Sequence, residues 1–322
     1  MKGVHRMLSR RVLLGAGLLA PTLCYAETFP SRNISIIVPF APGGSADGIA
    51  RMVGEKLGDA LGKAVVTDNR PGAGGTTGLI GLARSTADGH TLGVGATGAL
   101  VINPHVPELG LNFNPLRELT PIAKLIDIPL VLVTHPGSGF RTLPEMISQS
   151  KDRSGGIAFG STGTNSSQHL SVELLKKATG ANLVHVPYRG SAPAMTDLLG
   201  EQIQMASVDL TSAAAHIKAG KVIALAVTSS KRVELAPEIP TIAQSAVPGF
   251  DVSAWMGMFG PAGLAATIVE QVSGHLRTAL SDDAFRSRVR NLACVEAFLG
   301  PHEFSEFLER ESTKMRALVQ SG

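Results

Sequence analysis

Short apolar runs rich in β-branched residues alternate along this chain with segments of helical period, and small residues fill the junctions. Ile34 to Phe40 (ISIIVPF) is the first such run. A run this short and continuously apolar reads as a buried strand of a parallel sheet. It enters Ala41-Pro42-Gly43-Gly44-Ser45-Ala46-Asp47, after which Ile49, Ala50, Met52, Val53, Leu57 and Leu61 recur at helical spacing. Ala64 to Thr67 is a second strand. It leads through Asn69-Arg70-Pro71-Gly72-Ala73-Gly74-Gly75 to a helix carrying Leu79, Ile80, Leu82 and Ala83. Leu92 to Ala96 is a third strand, ending at Thr97-Gly98. The order βαβαβ predicts a parallel α/β sheet, because parallel neighbours need a crossover long enough for a helix.

The same grammar restarts downstream. Strands are predicted over 130–134, 157–159, 183–187, 203–208 and 222–227, with helices over 143–150, 170–175, 194–199 and 213–219. Thr142 and Pro144 are good residues to open the first of these helices. The stretch 237–250 is rich in Pro and reads as a connection. Val252 to Phe259 then reads as a strand containing Trp255, the single tryptophan, which is read as core in preference to a ligand platform and stands near the connection, where a hinge would lie. Pro261-Ala262-Gly263 breaks it, and helices follow over 265–280, 284–292 and 303–319. These are two consecutive α/β units without a sequence repeat. A chain of 322 residues agrees with two domains of roughly 100–200 residues each.

Residues 1–26 have the layout of a secretory signal peptide. Lys2, Arg6, Arg10 and Arg11 form a basic start, Val12 to Leu23 is apolar, and Cys24-Tyr25-Ala26 is a small-x-small cleavage pattern. The apolar run is about half what a membrane span needs. Ser9-Arg10-Arg11-Val12-Leu13-Leu14 also resembles a twin-arginine signal. Leu23 before Cys24 argues against a lipoprotein site. Cleavage near Ala26 removes four basic residues and no acidic ones. The balance of 29 basic to 26 acidic becomes 25 to 26, and the formal charge falls from +3 to −1. A near-neutral chain gives no support for a nucleic-acid partner. Cys24 leaves too, so Cys294 is alone and no intrachain disulfide can form. No later segment is apolar for long enough to predict a membrane span.

Pro42–Asp47 joins a strand to a helix. There the first-turn amides point outward and carry roughly half a positive charge, a ready anion site. Gly43 and Gly44 let a ligand approach the backbone closely. The plainer reading is a tight turn capped by Ser45 or Asp47. Gly160-Ser161-Thr162-Gly163-Thr164-Asn165-Ser166-Ser167 is a second loop of this kind, richer in hydroxyls. His169 on the following helix reads as a surface or supporting residue in preference to a base. Tyr188-Arg189-Gly190 closes a strand at its carboxyl end, where open α/β sheets bind ligands. A solvated Arg beside a half-buried Tyr is the alternative.

Several chemistries are unsupported. Neither Gly-rich loop is followed by Lys-Ser/Thr, and Thr77 stands where a dinucleotide fingerprint needs Gly. Gly160 directly precedes Ser161, so no nucleophile elbow is present. The nine histidines are scattered, with no H-E-x-x-H and no C-x-x-C. No metal and no cofactor are therefore expected.

Six segments together resemble one family: VPFAPGGSADGIAR (38–51), DNRPGAGGTTG (68–78), ADGHTL (87–92), FGSTGTNSSQHL (159–170), HVPYRGSAPAMTDLLGEQIQ (185–204) and PGFDVSAWMGMFGPAG (248–263). They are similar to the solute-binding proteins of tripartite tricarboxylate transporters, the Bug receptors. The resemblance covers nearly all of the chain beyond residue 26, in order. It implies a periplasmic, two-lobed α/β binding protein of the Venus flytrap, type II-like class, with parallel or mixed sheets flanked by helices. It further implies capture of a small organic carboxylate without chemistry on it, and delivery to a two-component membrane permease. A monomer is expected.

In the family two facing loops hold the ligand carboxylate, and they map here onto Pro42–Asp47 and Gly160–Ser167. The ligand-binding residues expected are thus Phe40, Ala41, Pro42, Gly43, Gly44, Ser45 and Asp47 on one side. Gly160, Ser161, Thr162, Gly163, Thr164, Asn165, Ser166 and His169 are expected on the other. Thr97, Tyr188, Arg189 and Asp209 sit at strand ends that reach toward the distal end of a ligand. The chain departs from the family pattern at four places: Asn165 replaces a usual Gly, Gln244 an acidic residue, the pair Leu264-Ala265 a Pro-containing turn and Arg189 a Lys. Asn tolerates left-handed geometry, so the loop shape is expected to survive. The planar fork of Arg189 can pair bidentately with a carboxylate. The expected division is a leader over 1–26, one lobe of 27–128 plus 252–322, and a second of 129–251. Two other readings remain: a secreted hydrolase or transferase using Ser161 or Ser45 with His169, and a ligand sensor of the same fold.

Overall fold

A computed structural model describes residues 29–320. The leader and its twin-arginine-like pair lie outside the described residues. The chain builds two mixed sheets. The strands are β1 (Ile34–Val38), β2 (Val65–Asn69), β3 (Thr91–Ala96), β4 (Leu119–Ile128), β5 (Leu130–Thr134), β6 (Ile157–Ser161), β7 (Leu183–Pro187), β8 (Met205–Asp209), β9 (Ile223–Val227), β10 (Ala254–Pro261) and β11 (Val295–Leu299). The helices are α1 (Ser45–Leu61), α2 (Thr76–Ala83), α3 (Pro115–Glu118), α4 (Leu143–Asp152), α5 (Ser167–Thr179), α6 (Ser191–Leu199), α7 (Leu210–Lys218), α8 (Ile242–Ser245), α9 (Ala266–Ser281), α10 (Asp283–Asn291) and α11 (Pro301–Gln320).

The six-stranded sheet has the order β11-β4-β10-β3-β1-β2, and the five-stranded sheet β7-β6-β8-β5-β9. The βαβ units form parallel pairs as their crossovers require: β1 with β2 and β3, and β6 with β7 and β8. The first units thus pair in parallel as expected; the remaining pairings are antiparallel, which makes both sheets mixed. β10 inserts between β3 and β4, and β5 between β8 and β9, each opposed to both neighbours. β4 and β11 were not anticipated. Pro121, Lys124 and Asp127 interrupt the apolar run of β4, and a single turn separates α10 from β11. Lys124 is nonetheless buried, held 2.7 Å from Asp127 and 4.7 Å from the centre of the Phe307 ring.

Each sheet is covered on both faces. Ile49, Met52, Val53 and Leu57 of α1 pack with Val272 and Leu276 of α9 and Phe285 of α10 on one face of the larger sheet. Fully burying an aliphatic side chain of this size is worth about 1.5–3 kcal/mol. α2 and α11 cover the other face, where Trp255 meets Phe304 and Phe307 edge-on. α6 and α7 cover one face of the smaller sheet, and α4, α5 and α8 the other. Thr142 and Glu145 form a full capping box at the start of α4. At α8 Thr241 does the same with Gln244, whose side chain also accepts from Arg232 at 2.9 Å.

The chain passes between the sheets at two adjacent places. Pro129 alone separates β4 from β5. The return from β9 to β10 runs beside it: Thr228 N donates to Leu130 O at 3.2 Å, and Val252 N to Thr228 O at 3.0 Å. The crossings are thus tied together, and the carboxyl ends of β1, β6, β7 and β8 face one another across the gap.

Candidate functional site

Four helices begin at that gap. Three follow a strand through a short polar loop, β1 to α1, β6 to α5 and β7 to α6, and α7 begins directly at the end of β8. A helix N-terminus leaves its first amides without intrahelical acceptors, so four clusters of N–H donors converge. They surround an inner cavity of about 40 Å³, lined at its polar wall by Gly44 and Ser45 (α1), Ser167 and Gln168 (α5), Ser191 (α6) and Asp209 (α7). Ile128, Ala254 and Met256 of the crossing strands form the apolar wall. Such a volume holds one or two waters or a carboxylate group. A neighbouring cavity of about 350 Å³ shares Phe40, Gly74 and Thr162 with it and extends to Arg189. The Arg189 side chain is exposed and has no ion pair or hydrogen bond within the described residues. Among the described residues, no lysine, arginine or histidine lines the inner cavity.

The two loops expected to face each other do so. Gly44 is the N-cap of α1 and has no side chain to cap it. Asp209, across the gap, supplies the missing acceptor: its Oδ2 takes the Ser45 amide at 2.9 Å and the Ser45 hydroxyl at 2.5 Å. Asp47 turns the other way. Its carboxylate accepts from Arg51 at 3.0 Å, Asn69 at 3.1 Å and the Gly43 amide at 3.2 Å, which fixes the loop from behind. Burial pushes the Asp47 carboxyl up, but these hydrogen bonds and the Arg51 charge outweigh it and leave it below the usual range.

The second loop is braced from within. Ser166 caps α5 through the His169 amide, and its hydroxyl donates to Gly163 O at 2.8 Å. Asn165 is left-handed, at φ 59°, as its side-chain chemistry permits. Its amide donates to His169 Nδ1 at 3.0 Å, which holds that conformation. The bond fixes the proton of His169 on Nε2, 3.6 Å from Glu173. His169 stacks on His185 with ring centres 3.9 Å apart. The close approach of the His169 imidazole and the pair with Lys176 hold the Glu173 carboxyl at about 2. Burial, then the neighbouring His169, pushes His185 down to about 4.

Several expected residues lie elsewhere than in the inner cavity. Thr97 accepts the Trp255 amide at 2.9 Å and so pins β10. Tyr188 turns its hydroxyl to Asp197 at 2.7 Å, and burial with that partner pushes it up to about 12. Ser161 is fully buried and pairs at 2.7 Å with His185, not with His169. Gly163, Thr164, Tyr188 and Arg189 border the outer cavity, and Asn165 and His169 face a groove on the far side of α5. Phe40, Ala41, Gly44, Ser45, Thr162, Ser166 and Asp209 line the inner one; Pro42, Gly43, Asp47, Gly160 and Ser161 shape the loops behind it.

Sequence reasoning missed Gly74, Gly98, Gln168 and Ser191. Gly190-Ser191 repeats the strand–loop–helix rule that singled out the first two loops. Gly74 and Gly98 act by lacking a side chain: a Cβ on either would meet the second loop, at 2.6 Å from Thr164 O and 2.9 Å from Asn165 O.

A family model described as the tripartite tricarboxylate transporter family receptor matches residues 49–321. The chain belongs to this receptor family. BugT of Bordetella pertussis is 35% identical over 310 residues, covering 95% of this chain and 93% of BugT. Among solved structures, the periplasmic binding protein BugD superposes with a TM-score of 0.85 at 31% identity, covering 91% of this chain and 98% of BugD. An R. palustris protein solved with adipate has a TM-score of 0.84 at 28% identity, over 91% and 97% of the two chains. The fold is therefore the two-lobed α/β architecture of periplasmic binding proteins. Family and neighbours are binding proteins, and the paired serines fit that: Ser45 faces Asp209, and Ser161 is sealed from the cavity.

Proposed function

We propose that this receptor captures a small organic carboxylate between its lobes and presents it to a two-component membrane permease of the tripartite tricarboxylate type. The observation that carries this reading is the convergence of four helix N-termini on a cavity with no basic side chain. Amide dipoles alone then bind the anion. Each hydrogen bond to a charged group is worth roughly 1.5–3 kcal/mol. Micromolar affinity needs about 8 kcal/mol net, so four to six such bonds suffice after ordering costs. The rest of the ligand extends into the outer cavity toward the unpaired Arg189. Adipate bound to the R. palustris relative fits an acid of that reach.

The lobes of this reading are 27–128 with 252–322, and 129–251. The two tied crossings beside Pro129 and Val252 form the hinge, and a ligand favours closure because it contacts both lobes. The leader 1–26 exports the chain to the periplasm. Thermal shift against mono-, di- and tricarboxylates and aromatic acids tests the reading: at least one should raise the melting temperature in a saturable way. Replacing Gly44 by Val should abolish that shift, since the new side chain would fill the mouth of the α1 amides. Unaltered binding in that variant would remove α1 from the site.

A further inference from the structure

Among the described residues, Asp209 is the one that lines the inner cavity with an ionisable side chain, and it is 4% exposed. Its two oxygens differ. Oδ2 is held by the amide and hydroxyl of Ser45. Oδ1 has no hydrogen-bond partner within the described residues, yet it is not sealed from accessible space. A carboxylate oxygen only accepts. The helix ends supply positive potential, roughly half a charge each, enough for Asp209 and one ligand carboxylate together. They do not supply a proton that points at Oδ1, and no lysine, arginine or histidine in the lining does so. A ligand carboxylate drawn to the same helix ends therefore lies beside an oxygen that repels it, unless the ligand brings a donor of its own.

We infer that, given the carboxylate reading of this cleft, Asp209 selects acids carrying a hydroxyl or ammonium group next to the carboxylate, and that this group donates to Asp209 Oδ1. The ligand class is then a 2-hydroxy or 2-amino acid. Asp209 is both the cross-lobe cap of α1 and the acceptor that reads the ligand.

Matched acids test this by calorimetry on the purified protein: succinate, malate and aspartate, then glutarate, 2-hydroxyglutarate and glutamate. On the skeleton that binds best, a donor-bearing acid should bind about tenfold or more tighter than its plain counterpart, the worth of one hydrogen bond to a charged acceptor. Asp209→Asn should remove the advantage of the ammonium acid and spare more of that of the hydroxy acid, which separates the two. Asp209→Ala should remove both. Ser45→Ala should weaken all the acids alike and leave their ratios unchanged, since it spares Oδ1. A plain acid that binds as tightly as its donor-bearing partner, an ammonium-acid advantage that survives Asp209→Asn, or a hydroxy-acid advantage that survives Asp209→Ala would overturn the inference while leaving the carboxylate site standing. Binding of none of the acids would bring down both. If Asp209→Ala fails to fold by circular dichroism, the wild-type ratios and Asp209→Asn still decide.

Discussion

His185 and Glu173 are the residues through which pH reaches the second loop. Burial holds His185 at about 4, against an ordinary 6.5. The folded chain then binds fewer protons than the unfolded one between those values. The stability linked to His185 is complete above pH 6.5 and is lost as pH falls toward 4. Glu173, held at about 2, adds a loss that begins as pH falls through its ordinary 4.5. Melting temperature should therefore fall from pH 6.5 to 4, and His185→Phe should flatten that slope while keeping the stack with Phe159. Parallel slopes would place the sensitivity elsewhere. Cys294 gives a second check. Burial pushes its thiol up to about 12, so it should resist a thiol reagent at pH 8 until denaturant is added. Rapid labelling of the folded chain would contradict that burial. Much at this scale is illegible in sequence: Asp47 and Ser45 are neighbours in one loop, yet one braces it from behind and the other faces the cleft.

Among the elements, α4 and β10 make the firmest claims. The capping box of α4 satisfies two otherwise orphaned groups, and Thr142→Ala should cost about 1 kcal/mol by urea denaturation. Gly257 lies mid-strand in β10, where an added Cβ would overlap the Phe304 ring and approach Ala123 O at 2.9 Å. Gly257→Ala should cost about 1–3 kcal/mol by the same measurement, as overpacking usually does. A neutral result would mean that Phe304 can move aside. The strands of the βαβ units were readable because a two-sided buried strand is an unbroken apolar run. β4 was not: its Lys124 and Asp127 pair with each other and their polarity broke the run. The resemblance allowed mixed sheets, but which strands pair antiparallel was hidden, since direction depends on which strands meet, not on what each contains.

In the whole molecule, the proposed closure is tested where backbone meets backbone across the gap. Gly98 has helical geometry, so Gly98→Ala brings little local strain, but its Cβ would stand 2.9 Å from Asn165 O across the gap. That variant should weaken carboxylate binding by tenfold or more while its melting temperature without ligand stays close to the parent. Small-angle scattering should show a larger radius of gyration. Equal affinity and equal radius would mean that this contact does not limit closure.

The sequence by itself determined two α/β units, most of their helices and the two Gly- and Ser-rich loops between strand and helix, because strand period, helix period and glycine placement are local properties. It also carried enough motif to place the chain in its family. Only the tertiary structure decided that four helix N-termini, not two, share one cavity, that Asp209 caps a helix 164 residues away, and that Gly74 and Gly98 serve as contact surfaces. Those are relations between distant segments. They arise when the two crossings bring the carboxyl ends of separate sheets face to face, and no window of sequence contains both sides.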